Sequence, residues 1–427
     1  MKELKVAVLV TLIFLTGLKI KAQEIQTIED AFFEAEYFMF NNEYADALPY
    51  YLDIISAMPD NANIEYRIGL CYLNIDGKKN LAIDYLERAV LNLTAKYRSG
   101  SLKQTAAPYE ALYYLGDAYR INYMFDKAKA AYQRYRETLL ADDAENIAFT
   151  EQQIACCTNA PKLMEFPVQF TLEPLGNMIN DSKDNYSPVV SADGRSIVYM
   201  TALKFYNAIM LAKMVKGAWA PPINITPELQ LGEGKLSISC LSSTSGLLLL
   251  TIDDGLNSEI WISKFDGVRW SPVSKLKKGI NTKYKESHGY VTDDGKKLVF
   301  ASDRPGGFGG MDLYMSELDA TGEWGTPVNM GPEINTPFNE DNPFLLENGK
   351  ILFFSSQGHF NMGGYDFFHS EIRSNGLWSK PVNIGYPLNT PDDDAFFCPS
   401  GDGKSGYISL VREGGAGKND IYKIIFK

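Results

Sequence analysis

The chain has 427 residues, 45% hydrophobic and 22% charged, which is enough for two domains that each bury a core. Its formal net charge is −12, and removing residues 1–22, with four Lys and one Glu, leaves −15. Because phosphate contacts need a basic surface, this acidic balance excludes nucleic acid and anionic lipid as the main ligands.

Residues 1–22 are predicted to form a secretory signal peptide. Lys2 and Lys5 give a basic start, and the apolar stretch Val6 to Leu18 is too short to span a bilayer comfortably. Cleavage after Ala22 would leave Gln23 first. An uncleaved membrane anchor is the alternative. With no second apolar span, we predict a periplasmic protein, with outer-membrane association left open and no direct membrane span.

Residues 24–160 show helical periodicity in three helix pairs. A small residue in the first helix of each pair is followed three positions later by an aromatic, and the second helix carries Ala and then a large side chain. The small residues are Ala35, Gly69 and Gly116, and the large ones are Tyr51, Leu86 and Tyr132. This pattern resembles the tetratricopeptide repeat, in which small residues let paired helices approach. The resemblance implies an α-solenoid with a polar insertion around Thr94–Ala107.

A last helix, Ala144–Cys157, is predicted to cap this solenoid, with Pro161 marking the domain boundary. The aromatic positions of the helix pairs are interpreted mainly as core. Function in this region would then belong to the concave face, where solenoids grip an extended peptide or a partner helix.

Residues 165–427 contain five copies of one motif. Its marker is an acidic, an apolar and an aromatic residue, separated by 53, 54 and 54 residues, beginning at Glu259, Asp312, Asp366 and Asp420; a weaker first copy begins at Ala208. Turn glycines keep the same step: Gly194, Gly246, Gly295, Gly349 and Gly403. A fixed period of this length with several short strands per copy predicts a β-propeller, here with five blades; a sixth copy was not found.

The last copy stops after its aromatic strand and lacks the outer strand of the other copies. Residues Phe170–Leu175, followed by Ile179-Asn180, supply the missing piece ahead of the first complete copy. We therefore predict that this N-terminal strand pairs with the strand at Asp420–Ile424 and closes the ring, which protects an edge that would otherwise aggregate.

The propeller region resembles the TolB-type, WD40-like (PD40) repeats of bacterial periplasmic proteins. The resemblance rests on Ser187-Pro188 with Asp193-Gly194, on Ser302-Asp303-Arg304 with its glycines, and on the acidic-aromatic strands. The first two copies lack the glycine-rich loop. Signal, tetratricopeptide repeats and propeller together resemble envelope proteins of Bacteroidota, some linked to type IX secretion and gliding, although the OmpA-like domain of many members is not seen here.

Three histidines, His288, His359 and His369, form no metal-binding pair and are interpreted as satisfied or exposed. The acidic clusters Glu340-Asp341 and Asp392-Asp393-Asp394 lack calcium-loop spacing and are interpreted as solvated turns, and the glycine-rich loops as blade architecture. An odd number of cysteines favours buried thiols, with a bridge from Cys71 to Cys156 or Cys157 left open; the other two are Cys240 and Cys398.

No catalytic constellation, cofactor-binding residue or metal site is predicted, and the chain is expected not to be an enzyme. The preferred function is a non-enzymatic scaffold or adaptor that joins envelope or outer-membrane proteins, with secretion or gliding machinery as a possible setting. The alternative is a propeller that binds a small ligand or glycan in its central funnel. Fold likeness cannot decide between them, because propellers host many activities.

Overall fold

A computed structural model describes residues 27–427 except 243, 245, 278, 347, 348, 395 and 413. The signal-peptide prediction therefore lies outside the described residues. The chain divides into two compact units, Met1–Ile154 and Ala155–Lys427. The predicted domain bounds, 24–160 and 165–427, remain predictions.

The first unit is helical. A helix over residues 27–40 (α1) is followed by further helices. These are α2 (Tyr44–Ala57), α3 (Ala62–Leu73), α4 (Ala82–Ala89), α5 (Glu110–Ile121) and α6 (Phe125–Arg136). Helix α7 (Ala144–Met164) begins in this unit and ends in the second. The predicted insertion is a loop that carries two short paired strands, β1 (Leu93–Thr94) and β2 (Ala107–Pro108).

The small residues predicted to bring helices together do so. A methyl group on Gly69 would come within 2.5 Å of the Leu86 side chain, and one on Gly116 within 2.5 Å of the Tyr132 ring. Each glycine therefore lets α3 approach α4, or α5 approach α6, more closely than any other residue would allow. A helical region is thus confirmed, while its assignment to the tetratricopeptide repeat remains a prediction.

The prediction that the last helix ends near Cys157 is wrong. Helix α7 continues through Pro161 to Met164. Proline removes only one N–H from the ladder, and Glu165 N–H still donates to the Pro161 carbonyl at 3.2 Å. In the second unit, the Cys156 thiol lies 3.0 Å from Asn361 Oδ1.

The second unit is a five-bladed β-propeller, as predicted. Blade 1 holds β4 (Asn185–Val190), β5 (Ser196–Ala202), β6 (Asn207–Val215), β7 (Ala218–Trp219) and β8 (Ile223–Asn224), followed by a short helix, α8 (Thr226–Leu229). Blade 2 holds β9 (Lys235–Ser242), β10 (Leu247–Asp253), β11 (Ser258–Lys264) and β12 (Ser274–Lys275).

The next two blades repeat one plan of four antiparallel strands. Blade 3 holds β13 (Glu286–Val291), β14 (Lys297–Ser302), β15 (Asp312–Glu317) and β16 (Val328–Asn329). Blade 4 holds β17 (Glu340–Leu346), β18 (Ile351–Ser356), β19 (Asp366–Glu371) and β20 (Val382–Asn383). In both blades a glycine turn precedes the second strand, at Gly295 and Gly349, and the strand ends at a serine, Ser302 or Ser356.

Blade 5 combines the two ends of the propeller sequence. It holds β21 (Cys398–Pro399), β22 (Ser405–Leu410) and β23 (Asp420–Phe426), and its outer strand is β3 (Phe170–Pro174). The register is antiparallel, with Tyr422 opposite Pro174 and Phe426 opposite Phe170. The predicted ring closure is confirmed.

Apolar side chains from neighbouring blades form the core, which includes the fully buried Tyr199, Phe300 and Phe368. Apart from its first residue, the second strand of blades 3 and 4 is buried at every position, so both sides of these blades pack against a neighbour. Within the described part of the chain, no helix is both long and apolar enough to cross a membrane.

Candidate functional site

One face of the propeller carries the connections that differ most between blades. We call it the loop face; it bears the loops between second and third strands (the face loops) and the segments that lead into each inner strand. The face loops are residues 203–206, 254–257, 303–311, 357–365 and 411–419 in blades 1 to 5. The opposite face carries short hairpin turns, and we call it the turn face.

In blades 3, 4 and 5 the face loop seals the contact with the next blade. A methyl group on Gly309 would lie 2.5 Å from the Thr336 carbonyl, one on Gly363 2.6 Å from the Thr390 carbonyl, and one on Gly417 2.7 Å from the Asp181 carbonyl. Backbone thus touches backbone at the same place three times. Only glycine permits this approach, so the prediction that these loops are blade architecture is confirmed.

In blades 3, 4 and 5 the first residue of the acidic-aromatic strand holds the glycine-rich loop. Asp312 Oδ2 accepts a hydrogen bond from Phe308 N–H at 2.6 Å, and Asp420 Oδ2 accepts one from Ala416 N–H at 2.7 Å. In blade 4, Asp366 Oδ2 accepts from Met362 N–H at 2.9 Å. The conspicuous acidic marker of the repeat therefore serves the loop's conformation.

A buried carboxylate also fastens the segment leading into the inner strand of blades 3, 4 and 5, and we call this arrangement the clamp. Thr336 N–H and hydroxyl donate to Glu340 at 2.8 and 2.6 Å, and Ser356 donates to it at 2.7 Å. Thr282 with Glu286 and Thr390 with Asp394 repeat the arrangement. The interpretation of Glu340 and Asp394 as solvated turn residues is therefore wrong; burial raises the pKa of Glu340 to about 7 and that of Asp394 well above its usual range.

Between blades 1 and 2, both the glycine contact of the face loop and the clamp carboxylate are missing. The face loop of blade 1, residues 203–206, has no glycine, and Leu236 occupies the position of the clamp carboxylate in blade 2. Helix α8 and a segment with Gly232 and Gly234 lead into β9 instead. A cleft of about 550 Å³ opens here, lined by inner-strand residues of both blades, among them Ser187 and Ser237.

Blades 3 and 4 carry a polar cluster on their inner strands. Asp341 accepts a hydrogen bond from the Ser287 hydroxyl at 2.8 Å, and both of its oxygens lie 3.1 Å from His288 Nδ1. Burial lowers the pKa of His288, but the Asp341 carboxylate raises it more, so the net shift is upward. Asp341 is thus an inter-blade partner, and its interpretation as part of a solvated turn is wrong.

The other histidines have packing roles. His359 Nε2 lies 2.9 Å from the Ile334 carbonyl, and the His369 ring lies against Phe353. His359 is thus a satisfied residue, as interpreted. All five cysteines are buried thiols outside any disulfide, as favoured. Among the described residues, His, Cys, Asp and Glu form no group of three or more that could hold a metal ion.

The loop face also exposes apolar side chains, at least one on the face loop of every blade. Phe205 is 85% and Leu256 93% exposed, and three more are between 44% and 51% exposed: Phe308, Phe360 and Val411. Because the blades repeat one strand order, these five side chains surround the same end of the ring. Sequence reasoning missed this set, since each copy uses a different residue within a loop of different length.

The cleft and the His288–Asp341 pair were also missed. The missing glycine-rich loops of the first two copies were the available signal for the cleft. For the pair, the signal was that Ser287 and Asp341 stand 54 positions apart, at the same point of successive repeats. Both signals needed the ring geometry to be interpreted.

No protein-family model matches the chain, and no curated protein matches it in sequence. Solved structures similar to it include TolB from Acinetobacter baumannii, at 19% identity and TM-score 0.36 over 57% of this chain and 54% of that one. A putative TolB from Agrobacterium tumefaciens has 14% identity and TM-score 0.36, over 58% of this chain and 78% of that one. The chain therefore spans about half the length of the Acinetobacter TolB.

The similar structures also include an enzyme, the α-L-arabinofuranosidase of Podospora anserina, in complex with cellotriose. It has 13% identity and TM-score 0.39 over 61% of this chain and 97% of that one. The expectation that the chain is not an enzyme is therefore contradicted, because its structural neighbours include glycoside hydrolases as well as TolB proteins. At these identities the likeness concerns the fold alone.

Proposed function

We propose that the chain is a scaffold that binds other proteins of the bacterial envelope through the loop face of its propeller. The observation that carries this proposal is the set of exposed apolar side chains, at least one per blade, on that face. Isolated exposed apolar residues are ordinary, but a set that surrounds one end of a ring can anchor a partner around its centre.

Charge supports the same partner class. The chain carries −12 overall, so a partner with basic groups around an apolar contact would be attracted at long range. Within this proposal we place the protein in the periplasm or at the outer membrane, exported by the segment at residues 1–22. The secretion and gliding machinery to which the resembling proteins are linked is the setting to test first.

The helical unit supplies a second surface for binding. On α1, Phe33, Tyr37 and Phe40 are exposed at helical spacing, while Phe32 and Ala35 on the other side of the helix are buried. We propose that this unit holds a different partner from the propeller, so that the chain joins two envelope proteins.

The test is crosslinking and capture from envelope extracts with the full chain and two double variants. The loop-face variant is Phe205→Ser with Leu256→Ser. The matched control is Val268→Ser with Leu377→Ser, which changes two exposed apolar residues on the turn face. We expect the loop-face variant to capture at least about tenfold less of a partner protein, as for removal of interface anchors. The control should capture as much as wild type.

Equal capture by wild type and the loop-face variant would contradict the proposal, provided that both melt at the same temperature. Loss only in the control would move the binding surface to the turn face. A small ligand or glycan remains the second candidate function, and the cleft between blades 1 and 2 is the observation that favours it.

A further inference from the structure

The cleft between blades 1 and 2 gathers polar side chains that have no partner among the described residues. The hydroxyls of Ser187 and Ser237, the amide of Asn207 and the ammonium group of Lys235 all line it, and none makes a hydrogen bond or ion pair with another described residue. Ser187 and Ser237 are half-buried, whereas Asn207 and Lys235 are exposed. Unpaired donors and acceptors that converge in one cleft are the mark of a ligand site.

The walls of this cleft are set by the backbone. Ser187 has a φ of +50°, a conformation that non-glycine residues rarely adopt, at a bulge of the inner strand. Gly234 has a φ of +136°, and a methyl group there would lie 2.7 Å from the Asp253 carbonyl. The two flanks thus have little freedom to rearrange, which lowers the entropy lost on binding.

We infer that this cleft binds a sugar that carries a carboxylate, as a uronic acid does. Lys235 is the charged residue of the lining and would pair with the carboxylate. Ser187, Ser237 and Asn207 offer hydroxyl and amide groups that both donate and accept, as sugar hydroxyls require.

Size and aromatic content agree with this ligand class. A volume of about 550 Å³ lies in the range of sites for small ligands, and it suits one or two sugar rings. Tyr186 and Tyr206 line the cleft, and the Tyr206 hydroxyl is held by the Asn224 side chain at 3.0 Å. A ring fixed in this way offers an apolar surface for a sugar ring while its hydroxyl stays satisfied.

A peptide carboxy terminus is the other ligand with one carboxylate. Sites for chain termini use clusters of backbone N–H groups. The unpaired groups in this cleft are side-chain hydroxyls, an amide and an ammonium, so the sugar fits better. This inference is independent of the scaffold proposal and specifies the second candidate function, since it concerns a small ligand in one cleft rather than a protein on the whole loop face.

The test is calorimetric titration of the full chain with three probes: the disaccharide of galacturonic acid, the neutral disaccharide of galactose, and trialanine. We expect the acidic disaccharide to bind and the other two to bind at least about tenfold more weakly. Lys235→Met keeps the length of the side chain and removes its charge. It should lower the affinity for the acidic disaccharide by about tenfold, as for loss of a charge-assisted hydrogen bond.

Lys285→Met is the matched control, because Lys285 is exposed and precedes the inner strand of blade 3 as Lys235 begins that of blade 2. Lys285→Met should bind the acidic disaccharide like wild type. Ser237→Ala should lower the affinity for it severalfold. The inference is overturned if wild type binds no disaccharide, if Lys235→Met and Lys285→Met bind alike, or if trialanine binds and the acidic disaccharide does not.

Discussion

Asn180 hydrogen-bonds both backbone groups of Ile421, a residue 241 positions further along the chain. Its Oδ1 accepts from Ile421 N–H at 2.8 Å, and its Nδ2 donates to the Ile421 carbonyl at 3.0 Å. Asn335 holds Leu313 and Asn389 holds Phe367 in the same way, but within one blade. Blade 5 therefore uses the same asparagine contact as the other blades, but it joins the two ends of the propeller sequence.

Replacing Asn180 with alanine should destabilise the propeller strongly. The change leaves the buried N–H of Ile421 without its partner, while the Ile421 carbonyl keeps the hydrogen bond from Leu175 N–H at 3.1 Å, so the free energy of unfolding should fall by about 1–3 kcal/mol. Urea denaturation followed by tryptophan fluorescence measures this. Asn375→Ala, in an exposed turn of blade 4, is the control and should change stability by less than about 0.5 kcal/mol. Equal effects would mean that the Asn180 contact does not hold the ring.

Removing the closing strand should have a larger effect. A fragment that begins at Tyr186 lacks β3 and leaves β23 as an unpaired edge, whereas one that begins at Pro167 retains both strands. We expect the shorter fragment to melt at least about 10 °C lower. Differential scanning calorimetry of the two fragments is the measurement, and equal melting temperatures would show that closure contributes nothing.

The glycine seal between blades 4 and 5 can be tested with a single methyl group. Gly363→Ala would place Cβ 2.6 Å from the Thr390 carbonyl and against the Asp392 carbonyl, so backbone must shift. We expect a loss of about 2–4 kcal/mol, as for overpacking of a tight contact. Gly232→Ala meets nothing within 4 Å and serves as the control. A Gly363→Ala variant as stable as the control would contradict the sealing role.

Glu340 should make the free energy of unfolding depend on pH in a way that one substitution can isolate. Burial raises its folded pKa from 4.5 to about 7, so the stability that it contributes is fully present below about pH 4.5 and is lost as pH rises through about 7. Glu340→Gln stays neutral, and it should therefore remove about 2–4 kcal/mol from the decline in unfolding free energy between pH 4.5 and 8. Denaturation at several pH values tests this, with the exposed Glu333→Gln as a control that keeps the wild-type slope.

The His288–Asp341 pair should be visible by NMR titration. Asp341→Asn removes the carboxylate that raises the pKa of His288 and leaves burial, which lowers it, so the pKa of His288 should fall. The raised pKa stabilises the fold below the unfolded value of 6.5, and this contribution is lost as pH rises through the folded pKa. His369, whose pKa burial lowers, is the internal control; an unchanged His288 would refute the pairing.

Much of the propeller could be predicted because its information is local and repeated. Each blade restates its turn glycine and its strand pattern, and blades 2 to 5 restate the acidic marker. The segment that forms β3 could be matched to the outer strand of this repeated pattern. In the helical unit, the contact of Gly116 with Tyr132 was implied by the resemblance of the residue spacing to the tetratricopeptide repeat. Such features depend on residues that are close in sequence or one repeat apart, so the pattern alone predicts them.

The site depends on relationships that a repeat pattern does not contain. Glu340 and Asp341 are adjacent in sequence, yet one is enclosed in a clamp of its own blade and the other faces His288 of the blade before. Alternation along a strand sends neighbours to opposite sides, and only the assembled ring shows what each side meets. The cleft depends likewise on a missing seal, which is an absence in the pattern rather than a motif.

The register of β3 against β23 also sets how the propeller bears mechanical load. Phe170 begins β3 opposite Phe426, at the end of β23, so tension on the two strand ends pulls at the same edge of the pair. The interstrand hydrogen bonds would then break one after another, as in a zipper, rather than together, as in shear. Under traction the ring would open first at this seam, at low force, while blades 1 to 4 remain folded.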